Sequence, residues 1–124
     1  MRREQLDHLL RAAWAISGAA DLVVVGSQAI LASESNPPNA LLVSIEADIF
    51  SLRDTPHDQS DADLIDGSIG ELSPFHQTFG YYAHGVSERT AVLPVGWRDR
   101  LVRLQATADP KGPGWCISAM DLAV

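Results

Sequence analysis

The chain has a single cysteine, Cys116, so it can form no disulfide with itself, and a reducing cytoplasm is the expected compartment. No apolar run reaches the length that a bilayer crossing requires. Basic residues are scarce: 9 Lys and Arg against 16 Asp and Glu leave a net charge of −7. A broad, nonspecific grip on nucleic acid depends on neutralising many phosphates, and this balance disfavours it. It permits a site that gathers a divalent cation, although acids of this number also serve simply to keep a surface solvated. Internal repeats and low-complexity tracts are lacking, and the Pro and Gly residues of "ADPKGPG" mark a turn rather than a linker. With 124 residues, 46% of them hydrophobic, the expectation is one soluble domain around one core.

The first segment, "MRREQLDHLLRAAWAISGAA", opens like a leader peptide, but Glu4, Asp7, His8 and Arg11 interrupt its apolar stretch. Leu6, Leu9, Leu10, Ala13, Trp14 and Ser17 instead follow helical spacing, which predicts a helix over residues 3–17 stopped by Gly18. "DLVVVG" is a continuously apolar, β-branched run, the pattern of a strand buried on both faces. "SQAILASE" reads as a second helix with Ser27 at its N-cap, broken by "SNPPN". "ALLVSIEADIF" reads as a second strand, "SLRDTPHDQSD" as a polar loop, and "DADLIDGSIGEL" as a third helix weakened by Gly67 and Gly70. "TFGYYAHGV", "TAVLP", "LVRLQAT" and "GWCISAM" are short strand candidates forming an antiparallel extension. The last residues, "SAMDLAV", look like a helix cut after one turn, with Ser118 as cap, which predicts a C-terminal helical segment in a longer natural chain. The expected fold is α/β (α+β), a mixed sheet flanked by helices.

Chemistry concentrates in two places. Side chains alternate along a strand, so Glu46 and Asp48 project to one side, in line with Ser44 and Phe50. Two carboxylates at that distance repel unless a cation lies between them, and hard oxygen ligands suit Mg²⁺. The plainer reading is an edge strand whose polar face meets solvent. Upstream, Gly26 and Ser27 follow a buried strand and open a helix, a place where backbone N–H groups and the helix dipole attract a phosphate. Alone, this is also an ordinary strand-to-helix turn.

Together, Val25-Gly26-Ser27 and Ile45-Glu46-Ala47-Asp48-Ile49 resemble the signature of the polymerase-beta-type nucleotidyltransferase superfamily. "VVVGSQAIL", "SIEADIF", "DGSIGELSPFHQTFGYYAHGV", "AVLPVGW" and "MDLAV" look, more closely, like bacterial nucleotidyltransferase-like proteins related to the AbiEii toxins. That resemblance implies transfer of a nucleotidyl group from a nucleoside triphosphate (NTP), with Mg²⁺, to an acceptor it does not identify, an RNA or a protein being the candidates. It also implies a cognate antitoxin. Gly26 and Ser27 would hold triphosphate oxygens, and Glu46 and Asp48 the metal.

The chain departs from the family pattern in two respects. Glu46 stands where aspartate is usual, and "YYAHGV", "TAVLP" and "LVRLQAT" supply no third carboxylate. In the first two of these, His84 is the ionisable side chain other than tyrosine, and Asp63, Asp66 or Glu71 can approach from the preceding segment. Without a third acid, the alternative is a catalytically silent module that binds nucleotide or a partner protein. His76 is a candidate base or substrate contact, or else a packed ring beside Phe75. "HDQSDAD" imitates a metal loop, but its irregular spacing reads as a solvated one. Tyr81 and Tyr82 read as packing residues, with base stacking as the alternative. Arg98, Arg100, Arg103 and Lys111 read as a solvated face or as contacts for a triphosphate or nucleic-acid acceptor.

Overall fold

A computed structural model describes residues 1–19, 21–25, 44–55 and 57–87, together with Gly96, Asp99 and the backbone of 102–103 and 114–116. Helix α1 spans Arg3–Ser17 and buries Leu6, Leu9, Leu10 and Ala13, the stripe its spacing predicts. It begins where the Gln5 side chain reaches back to accept the Arg2 N–H at 2.7 Å. It ends at Gly18, whose left-handed φ of 74° lets its N–H return to the Trp14 carbonyl. Among the described residues, no helix is long and apolar enough to cross a membrane.

Strand β1, Leu22–Val25, is buried at all four positions and lies inside the sheet. Strand β2, Glu46–Ser51, runs antiparallel beside it, with Leu22 opposite Ser51 and Val25 opposite Asp48. Helix α2, Ser60–Ile69, and helix α3, Pro74–Phe79, precede strand β3, Tyr82–Gly85. Because α2 crosses between them, β2 and β3 pair in parallel, with Glu46 opposite Tyr82 and Asp48 opposite His84. The short strands β4, Val102–Arg103, and β5, Gly114–Cys116, complete the order β3-β2-β1-β5-β4, β5 being parallel to β1 and antiparallel to β4. The protein is an α+β domain with a mixed sheet and flanking helices.

Two expectations are corrected. The extension is not wholly antiparallel, since β3 and β5 both join parallel neighbours. Nor do Thr78 and Phe79 begin a strand: "SPFHQTFG" carries its own helix signals. The Ser73 hydroxyl accepts the His76 N–H, Pro74 opens the helix, and Gly80 closes it at φ 81°. The helix expected over "SQAILASE", the strand over "TAVLP" and the closing "SAMDLAV" lie outside the described residues.

Helix α2 sits tightly on β3. A Cβ placed on Gly85 would fall 2.2 Å from the Ala62 carbonyl oxygen, so only glycine admits the helix at this distance. The Asp66 carboxylate accepts the Gly85 N–H at 2.6 Å, and Asp61 accepts the Ser51 hydroxyl at 2.7 Å. These contacts assign the Ala47, Ile49, Ser51 face of β2 to the helices, and all three residues are buried. Asp54 caps α2 from the preceding loop, accepting the Asp61 and Ala62 N–H groups. The "HDQSDAD" segment is therefore not simply solvated. Asp61 is 3% exposed and ion-paired to Arg53 at 2.6 Å, while Asp58 receives the Ser60 N–H and hydroxyl.

Candidate functional site

With Ala47 and Ile49 turned inward, strand alternation delivers Glu46 and Asp48 to the opposite side, as their spacing predicts. Phe50, in line with them, is buried and ends the polar stretch. The parallel register then brings His84 beside Asp48. His84 Nδ1 lies 3.5 Å from Asp48 Oδ1 and 3.8 Å from Glu46 Oε1. These three residues each offer a donor atom within 4.8 Å of the others, a set able to hold a metal ion. Their side chains are 52% exposed for His84, 43% for Glu46 and 37% for Asp48.

Their electrostatics are uneven. Asp48 is pushed up to about 6, first by burial and then by the adjacent Glu46 carboxylate, against which His84 acts only partly. Its Oδ1 is buried and has no hydrogen-bond partner among the described residues. A buried carboxylate oxygen left in this state is costly. Glu46 is held below its ordinary value, chiefly by the Tyr82 hydroxyl. That hydroxyl lies 2.8 Å from Glu46 Oε2 and 2.9 Å from Glu71 Oε2, one hydrogen facing two carboxylates, and its own ionisation is driven sharply upward.

Glu46, Asp66, Glu71, Tyr82, Ala83 and His84 line a cleft of about 390 Å³. Among the described residues, no Lys or Arg lines it. No protein-family model, curated protein or solved structure matches this chain.

Of the expected residues, Glu46, Asp48 and His84 converge, and Glu71 joins them through Tyr82. Asp66 reaches the cleft wall, where it also secures the end of β3. Asp63 is exposed on the first turn of α2 and does not line the cleft. His76 does not line it either: its Nδ1 accepts the Leu72 N–H at 2.9 Å, and its ring lies 4.6 Å from that of Tyr82, so it supports the tyrosine from behind. Gly26 and Ser27 lie outside the described residues, but Val25, immediately before them, is the register partner of Asp48. Tyr82 is the functional residue that sequence reasoning misses. Its packing role was legible, whereas its bond to Glu46 depends on a pairing between strands 36 residues apart.

The turn between α2 and α3 forms the outer lip. Leu72 adopts a left-handed φ of 66°, a conformation unusual for a branched apolar residue, and its side chain is 76% exposed. Glu71 is thereby directed from that turn toward Tyr82.

Proposed function

We propose that this protein is a metal-dependent nucleotidyltransferase acting on an NTP, with Mg²⁺ as the cation expected from its resemblance to the polymerase-beta-type superfamily. The observation that carries the reading is the convergence of Glu46, Asp48 and His84 around a buried Asp48 oxygen that lacks a partner. A cation would satisfy that oxygen and offset the repulsion between the two acids. Glu46 and Asp48 would hold it from a rigid strand, while Tyr82 fixes the second oxygen of Glu46. When bound, the cation supplies neutralisation of triphosphate charge and stabilisation of the leaving pyrophosphate. Gly26 and Ser27, directly after the register partner of Asp48, would receive phosphate oxygens through backbone N–H groups.

RNA and protein hydroxyls are the candidate acceptors, and a toxin-like role with a cognate antitoxin in the cytoplasm is the biological setting we favour. One observation supports a second reading. The cluster has an imidazole where a third carboxylate would complete the superfamily pattern, and such a protein can bind nucleotide or a partner without turnover.

Calorimetric titration of each of the four NTPs, in Mg²⁺ and in EDTA, tests the proposal. Binding that requires Mg²⁺ and disappears in Glu46→Ala/Asp48→Ala is the expected result. A folded wild-type protein that binds none of them would overturn it.

A further inference from the structure

We infer that His84 is itself a metal ligand, and that this site is built for a later first-row transition ion of the Co²⁺ and Zn²⁺ class in preference to Mg²⁺. The inference rests on the cation site proposed above and is independent of the nucleotide.

The distances carry it first. Donors sharing an ion at about 2.0–2.2 Å stand roughly 3.0–3.5 Å apart when they are neighbours in its coordination sphere. His84 Nδ1 is 3.5 Å from Asp48 Oδ1, at the edge of that spacing, and 3.8 Å from Glu46 Oε1, just beyond it, so a shared ion would draw the Glu46 carboxylate inward. These separations exceed the usual N–H···O hydrogen bond of about 2.7–3.2 Å. The three donor atoms thus lie within 4.8 Å of one another, with no hydrogen bond of ordinary length between the imidazole and either carboxylate. Asp48 Oδ1, buried and without a hydrogen-bond partner among the described residues, is the atom this leaves waiting.

The framework carries it next. Asp48 and His84 are register partners on adjacent strands, and Glu46 lies two residues before Asp48 on the same face. Sheet backbone therefore positions all three donors. The remaining oxygen of Glu46 is bonded to Tyr82, the outer support that orients a ligating carboxylate.

The donor type decides the class of ion. Mg²⁺ favours oxygen and surrenders its water reluctantly, whereas imidazole nitrogen suits the later first-row ions. Replacing a third oxygen by nitrogen moves preference toward the latter. Three protein ligands also leave coordination positions open, as in catalytic rather than closed structural sites.

The test uses the metal-free protein without nucleotide. Co²⁺ and Mg²⁺ are titrated separately into wild type, His84→Ala and His84→Asp, with heat and the Co²⁺ visible absorption as readouts. Mn²⁺ line broadening of the wild-type histidine NMR signals reports which ring is nearest, without any variant. Co²⁺ is expected to bind wild type at least about tenfold more tightly than Mg²⁺. His84→Ala should remove most of that advantage while changing Mg²⁺ affinity less than about threefold, and His84→Asp should shift preference toward Mg²⁺. Equal losses for both ions in His84→Ala, a wild type that prefers Mg²⁺, or broadening that leaves the His84 ring unaffected would overturn the assignment. Nucleotide binding does not enter these outcomes, so the ligand assignment and the transferase reading can fail separately.

Discussion

Asp48 shows at a single residue how a site can oppose its own fold. Its carboxyl is raised from 3.8 to about 6, so the protonated form is favoured by folding and the stability is complete at low pH. As pH rises through the interval between those values, that contribution is lost, and at pH 8 the folded protein carries an ionised, poorly compensated acid. Asp48→Asn should therefore stabilise the metal-free protein at pH 8 by about 1 kcal/mol, a figure reduced for the exposed part of the side chain, with little gain at pH 4. Calorimetric melting in EDTA measures both. The same variant should bind divalent ions more weakly, the trade-off expected where function and stability compete.

At the scale of elements, the site depends on how closely α2 approaches β3. Gly85→Ala sets a methyl against the Ala62 carbonyl and should destabilise the protein by about 2–3 kcal/mol, seen as a lower urea midpoint. The displaced helix would also weaken the bond between Asp66 and the Gly85 N–H. Much of this architecture was legible. Helix α1 is announced by apolar spacing and by Gly18, and β1 by its unbroken β-branched run. Helix α3 escaped because six residues are too few to display a period, although Ser73, Pro74 and Gly80 mark its ends. The side shared by Glu46 and Asp48 follows from local alternation, but the pairing of Asp48 with His84 follows from register between distant strands, which no local pattern encodes. Asp61 was read as a surface acid because Arg53, its partner, lies across the turn that folding closes.

For the whole molecule, the Asp61 network ties three elements together. Arg53 donates to Asp61 and to the Ser17 carbonyl at the end of α1, while Ser51 of β2 donates to the same carboxylate. Arg53, foremost, holds Asp61 below its ordinary 3.8. The stabilisation is present above that unfolded value and disappears as pH falls through the lower folded one. Asp61→Asn should lose about 1–2 kcal/mol at pH 7, with the deficit narrowing toward pH 2 as the wild-type carboxyl is also neutralised. Urea unfolding at the two pH values checks this. A deficit unchanged at pH 2 would mean that charge is not what joins these elements.

Tyr82 gives that organisation a different kind of consequence. Its one hydroxyl hydrogen serves two acceptors, so Glu46 on the sheet and Glu71 on the lip compete for it. Through that shared hydrogen the tyrosine ties the strand that carries Glu46 to the turn that carries Glu71, so floor and rim of the cleft are joined at one side chain.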